Sequence, residues 1–398
     1  MTAPKTWARA LAALLTTLLM AGCGGGSGGA TGSPPPVERP LPAVSTRAAG
    51  LAQADNPQVD AFVQAQLLEQ RIPGVSLVVV KAGQVVYARG YGYANLDTAT
   101  PVRVEDRFEI GSITKPFAAT AVMLLVEEGR MSLDDRIDRY IGPVPAAWSG
   151  ISVRHLLNHS SGLPGYPDAT VYAALDRNQT LSDEEMLARF KSYPLEFATG
   201  TGYLYSNVAY DIVGLIIKKV SGQAYGDFLQ QRVFKPLGMD SARIMAPNES
   251  AAGNAVGYEL VNGSRRPYVY NAAKRGYLGM AASGIQVNAL DLAKWDAALY
   301  TEKVLKKSTL DLMWTNNALV QAATATTPDI YYGLGWQLRT QAGHRWVYHS
   351  GGMPGFVTEF LRYPDDQLTV IVLTNLDDQH SNARVISRGV SQILQPGL

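Results

Sequence analysis

The stretch Gly111-Ser112-Ile113-Thr114-Lys115-Pro116-Phe117 sets a serine three residues before a lysine, at the head of a long apolar run. On a helix, positions i and i+3 lie on one face, so this spacing brings hydroxyl and amine together. A serine hydroxyl attacks well when a neighbouring base takes its proton, and a lysine is that base only while uncharged. Burial is the means. The run Phe117 to Val126 (FAATAVMLLV) is apolar on every side, which predicts a helix inside a core, where desolvation disfavours the ammonium. Bringing a lysine from about 10.4 to near 7 takes roughly 3 units, or about 4 kcal/mol of environmental bias. Taken alone, the tetrapeptide reads as a helix N-cap serine followed by a surface lysine, so its partners elsewhere decide.

The chain has 398 residues, 46% of them hydrophobic and 17% charged, enough for a substantial core in one large domain or two intertwined ones. Its formal net charge is +1 and no basic cluster stands out, which gives no sign of nucleic acid or a polybasic membrane patch. Lys5 and Arg9 precede the apolar stretch Ala10 to Met20, followed by Leu19-Met20-Ala21-Gly22-Cys23. That layout predicts a secretory signal over residues 1–22, too short for a membrane span. Its end resembles a bacterial lipoprotein signal, which implies a lipid on Cys23, a place in the cell envelope on the periplasmic side, and the outer membrane if the cell has one. Met20 stands where leucine is usual. Cys23 is the only cysteine, so an intrachain disulfide or a multi-cysteine metal site is impossible.

Residues 23–50, rich in glycine and serine and then in proline, are expected to be a tether ahead of a folded domain over 51–398. Gly25-Gly26-Ser27-Gly28-Gly29 inside it formally matches G-x-S-x-G but lacks the flanking strand and helix that give the motif meaning. Within the domain, helical spacing over 57–72 precedes two strands, Gly74 to Lys81 and Val85 to Tyr93, joined by a hairpin turn. Arg107 to Ile110 leads into the Ser112 helix. From about 117 to 280 the pattern is helical, with segments over 153–159, 183–191, 210–220 and 225–234, and another helix over 291–300. Strands are then expected over 332–338, 345–349, 358–363 and 368–373, with a turn at 363–367 and a last helix over 382–394. Strands at both ends with helices between predict an α+β fold: one sheet built from distant parts of the chain, and a site where the helical insertion meets it.

Tyr205-Ser206-Asn207 lies roughly 90 residues after Ser112, and His349-Ser350-Gly351-Gly352 ends a predicted strand. Ser-x-x-Lys, Tyr-x-Asn and His-x-Gly, in that order, resemble the serine β-lactamase and penicillin-binding protein superfamily. The likeness is greatest to its class C β-lactamase-like group with esterase and D-amino-acid peptidase relatives. Supporting phrases are Ser152 to Leu163 (SVRHLLNHSSGL), Gly202 to Asn207 (GYLYSN), Phe234 to Met239 (FKPLGM) and Tyr332 to Trp336 (YGLGW). The resemblance implies an antiparallel sheet with flanking helices and an acyl-enzyme on Ser112. Lys115 and Tyr205 would share the proton transfers, Asn207 would hold Lys115 and meet the substrate amide, and the backbone N–H groups of Ser112 and Gly352 would form an oxyanion hole. It implies no cofactor and no metal.

Each residue alone has a plainer reading: Tyr205 a core tyrosine, Asn207 a helix cap, His349 a packed strand histidine. His155 and His159 stand at metal-ligand spacing, but Leu156 occupies the place of the glutamate in H-E-x-x-H. At the position of His349 the family usually carries a lysine that helps bind a substrate carboxylate. A mostly neutral histidine weakens the case for efficient penicillin hydrolysis and favours ester or broad acyl hydrolysis. The expected partners are a small ester, a β-lactam or a cell-wall peptide, and the membrane through the N-terminal lipid. Two rival readings keep the fold: a penicillin-binding or peptidoglycan-sensing protein that acylates with little turnover, and a binding scaffold without catalysis. Oligomeric state is left open.

Overall fold

The computed structural model describes residues 44–48, 55–165, 182–244, 253–268, 280–325, 327–377 and 380–398. The signal segment, Cys23 and the Gly/Ser/Pro-rich stretch to Pro42 lie outside the described residues. The main sheet is antiparallel throughout. Its strands, in spatial order, are Ser45–Arg47, Gln84–Asn95, Gly74–Lys81, Leu368–Thr374, Phe356–Tyr363, His344–Met353, Gln337–Gln341, Ile330–Tyr332 and Ala318–Gln321, with Thr100–Pro101 added on Gln84–Asn95. The first strand corrects the tether expected over 23–50, because Ser45 and Arg47 pair with Tyr91 and Arg89.

The two central strands, GVSLVVVK and LTVIVLT, are almost continuously apolar because both faces of the sheet are covered. Val75, Leu77, Val79, Val370 and Val372 pack in one core with helices Pro57–Glu69 and Ala383–Leu394. Val78, Val80, Ile371 and Leu373 face the other core, which holds the helical insertion. The centre of that second core is helix Thr114–Glu127, buried from Thr114 to Leu125. Pro116 sits in its first turn, where the missing N–H costs no helical bond. Phe117 stacks on Trp295 with ring centroids 3.8 Å apart, and Trp295 stacks in turn on Trp336 at 5.4 Å. Among the described residues no helix is long and apolar enough to cross a membrane.

Two further expectations need correction. The single strand expected over 332–338 is two, ended at Tyr332 and resumed at Gln337. The intervening loop turns through Gly335 at φ +83°, where a β-carbon would stand 2.6 Å from Ala119 of the Ser112 helix. The insertion also contains short strands. Tyr258–Val261 and Ser264–Pro267 form a hairpin through Asn262 and Gly263, both at positive φ, a two-residue Asn-Gly turn signal that the helical reading passed over. Arg243–Ile244 and Ile285–Val287 form a small sheet with Phe108–Glu109.

That small sheet fixes the entry to the Ser112 turn. The Ile110 N–H donates to the Ile285 carbonyl at 3.1 Å, and the Ile285 N–H donates to Thr114 Oγ1 at 3.1 Å. From the main sheet, Thr358 Oγ1 donates to the Ile110 carbonyl at 2.9 Å. Gly351 lies so close that a β-carbon there would stand 1.9 Å from the same carbonyl oxygen. Gly351→Ala is therefore expected to lower unfolding free energy by about 1–3 kcal/mol and to slow reaction at Ser112. Gly150→Ala, with open space around it, is the control in the same denaturant titration. Equal midpoints for the two variants would disprove the close approach.

Candidate active site

Ser112 lies in a tight turn, Gly111–Ile113, that runs directly into helix Thr114–Glu127. Gly111 has φ +52°, and a β-carbon on it would stand 2.7 Å from the Gly352 backbone nitrogen, so this turn and the Gly352 strand are in close contact. Ser112 is partly exposed. Lys115 is 0% exposed.

The Lys115 amine makes three hydrogen bonds: to Ser112 Oγ at 3.1 Å, to Asn207 Oδ1 at 2.7 Å and to the Ala282 carbonyl at 3.0 Å. It lies 4.6 Å from the ring centre of Tyr205 and 5.4 Å from that of Tyr210. These partners are polar but uncharged. Burial lowers the amine from its ordinary value to about 7, against a smaller opposing pull from Asp211. Burial pushes the Tyr205 phenol well above the ordinary tyrosine range, against a smaller lowering pull from Ser112. Near neutral pH the amine is the group able to take a proton, and the phenol keeps its own.

Asn207 opens helix Asn207–Ser221, capped by Ser206, whose Oγ accepts from the Ala209 N–H at 3.1 Å. The structure thus brings Ser112, Lys115, Tyr205 and Asn207 together. His349 lies beside them, buried and hydrogen-bonded within the protein. It is 1% exposed; its Nδ1 is 2.7 Å from the Ser350 carbonyl and its Nε2 is 2.9 Å from the Tyr332 hydroxyl. Burial, with the nearby Lys115, lowers it to about 3. A neutral ring with Nδ1–H donating to the carbonyl leaves Nε2 to accept from Tyr332.

Sequence reasoning missed Tyr332, His159 and the Ala282 carbonyl. Tyr332 stood in the quoted phrase YGLGW and His159 in NHSSGL, but a backbone carbonyl leaves no mark in residue type. His155 and His159 do not converge on a metal site. His155 Nδ1 accepts from the Ser152 N–H at 3.2 Å, closing the start of helix Val153–Leu157, whereas His159 Nδ1 accepts from the Ser206 N–H at 3.1 Å.

The β-lactamase family model matches residues 59–395. The chain belongs to the β-lactamase family. Penicillin-binding protein 4* of Bacillus subtilis is 30% identical to it over 338 residues, covering 80% of this chain and 72% of that protein. Protein flp of Staphylococcus aureus is 27% identical over 328 residues, 81% of this chain and 64% of its own length, so the match spans less than two thirds of that relative. Among solved structures, the octameric penicillin-binding protein homologue from Pyrococcus abyssi superposes with a TM-score of 0.75 at 29% identity, covering 85% of this chain and 77% of that one. A D-stereospecific amidohydrolase from Streptomyces shares the fold, with a TM-score of 0.68 at 23% identity over 86% of this chain and 99% of that one. The antiparallel sheet and flanking helices of this β-lactamase-family chain are those of the serine hydrolases of the β-lactamase and penicillin-binding protein type.

A depressed lysine leaves a signature in stability. In the unfolded chain Lys115 holds its proton to about pH 10.4, whereas in the folded chain it loses it above about 7. Between those values unfolding takes up a proton, so wild-type stability gains from this residue as pH rises. The stability of Lys115→Met relative to wild type should therefore fall as pH rises from about 7 to about 10, by up to about 1.4 kcal/mol per pH unit. Urea titrations of both proteins across that range measure it. A pH-independent difference would mean that the amine is charged in the fold.

Proposed function

We propose that this protein is a serine acyl hydrolase that forms an acyl-enzyme on Ser112 and releases the acyl group to water. The observation that carries this reading is the buried Lys115 amine, 3.1 Å from Ser112 Oγ and lowered to about 7. As Oγ attacks the substrate carbonyl carbon, its proton passes to the neutral amine. The Ser112 and Gly352 N–H groups receive the carbonyl oxygen as it becomes an oxyanion, a role worth about 3–4 kcal/mol per donor. When the tetrahedral intermediate collapses, the bond to the leaving group breaks, the Tyr205 phenol protonates that group, and Lys115 returns a proton to Tyr205. Water then repeats the sequence in reverse against the acyl-enzyme. Asn207 keeps the amine aimed at Ser112 throughout.

The substrate we propose is a neutral acyl ester or amide in preference to a carboxylate-bearing β-lactam. His349 supports this, because the family position that usually carries a cation here holds an internal, neutral ring. The name of the Bacillus relative supports a second reading, acylation by penicillin with little turnover. We further propose that the chain is carried to the cell envelope as a lipoprotein acylated at Cys23.

A fluorophosphonate probe should label the wild type and leave Ser112→Ala unlabelled. With a neutral p-nitrophenyl ester, Lys115→Ala and Tyr205→Phe should lower kcat by roughly 100-fold or more with little change in KM. Wild-type kcat/KM should rise as pH climbs through about 7, where the amine becomes neutral. Labelling of Ser112→Ala would place the nucleophile elsewhere; labelling without ester turnover would favour the second reading. Membrane fractionation tests the anchor: Cys23→Ala should leave the membrane fraction, and a variant that stays would refute acylation at this residue.

A further inference from the structure

Tyr205 and Ser206 lead into helix Asn207–Ser221, and one buried residue from elsewhere in the chain touches both. We propose that His159 is a positioning residue for Tyr205, holding the backbone beside it through its Nδ1 acceptor so that the phenol stays beside Ser112. His159 is 0% exposed and sits at φ +61°, a left-handed backbone region uncommon outside glycine, though one that His, like Asn and Asp, enters more readily than most. Its carbonyl accepts from the Leu204 N–H at 3.0 Å and its Nδ1 from the Ser206 N–H at 3.1 Å, so it holds the backbone on both sides of Tyr205. Its ring packs on that of Tyr205, with centroids 4.4 Å apart, and on that of Tyr332 at 4.5 Å.

The protonation state agrees with this geometry. An Nδ1 that accepts requires the ring proton on Nε2, and burial together with Lys115 and His349 holds the imidazole neutral. Nε2 is buried and has no hydrogen-bond partner among the described residues. The ring is therefore placed by what its other nitrogen and its faces do. Ser206, held by His159, caps the helix whose first residue, Asn207, meets Lys115, and its own Oγ donates to the Pro164 carbonyl at 2.5 Å.

This inference rests on the proposed acylation of Ser112, and the experiment separates the two. Gly and Asn both tolerate φ +61°, so His159→Gly and His159→Asn are expected to fold; only Asn retains a side-chain acceptor for the Ser206 N–H. The measured quantity is the second-order rate of fluorophosphonate labelling at Ser112, together with kcat and KM for a neutral ester. His159→Gly should slow labelling by about 30-fold or more and lower kcat with KM within about threefold, while His159→Asn recovers to within about fivefold of wild type. In a Tyr205→Phe background, His159→Gly should cost less than about threefold, because a residue acting through the phenol has little left to place. Equal rates for the Gly and Asn variants, or the full loss persisting without the phenol, would overturn the proposal while leaving the Ser112 reading intact. A wild type that the probe does not label at Ser112 would overturn both.

Discussion

An amine buried with no carboxylate among its hydrogen-bond partners in the described residues is the constraint on which the rest of this structure depends. Lys115 is sealed in a core of aromatic rings and aliphatic side chains, and its hydrogen bonds end on a hydroxyl, an amide oxygen and a backbone carbonyl. A carboxylate in contact would stabilise the ammonium and remove the base; no partner at all would leave a polar group orphaned. Three neutral partners are the intermediate solution, two carbonyl oxygens to receive the hydrogens of the neutral amine and a hydroxyl to meet its lone pair, and they come from three separate parts of the chain. The fold must bring Ser112, Asn207 and Ala282 within reach of one nitrogen, which explains why the Ser112 turn is tied to both the small and the main sheet.

The same logic governs the neighbouring histidines. His159 and His349 are buried near the amine, and each is lowered partly by it. Neutral imidazoles can serve as acceptors and packing surfaces where cations would repel the group needed for chemistry. Glycines supply the close approaches. At Gly111 and Gly351 the backbone of one segment lies where another residue would place a β-carbon, and at Gly335 the Ala119 side chain does, so the strand, the turn and the helix meet in close contact.

Much of this was legible in the sequence, for identifiable reasons. The apolar runs GVSLVVVK and LTVIVLT read as strands because both faces are buried, and FAATAVMLLV read as an interior helix for the same reason. The spacing of Ser112 and Lys115 followed from helical geometry alone. Tyr205 and Asn207 needed the resemblance, since neither residue type is informative by itself. The small strands within the insertion were hidden because strands of two to four residues establish no periodicity, although Asn262-Gly263 carried a turn signal. His159 entered the sequence reading only through its i, i+4 relation to His155, set aside because Leu156 fills the glutamate place, and its left-handed backbone in fact takes it out of the helix on which that relation depends.

The central pair of strands also dictates when this protein becomes itself. Gly74–Lys81 has as neighbour Leu368–Thr374, with Lys81 opposite Leu368 and Val75 opposite Thr374. Closing a loop of that length is entropically slow, and topologies dominated by such distant pairings fold late. On the ribosome, the segments carrying Ser112, Lys115 and Tyr205 emerge well before the strands that complete the sheet beneath them. The nucleophile and its base are therefore synthesised early, and a chain interrupted before its final strands carries both side chains without the sheet on which their turn is anchored.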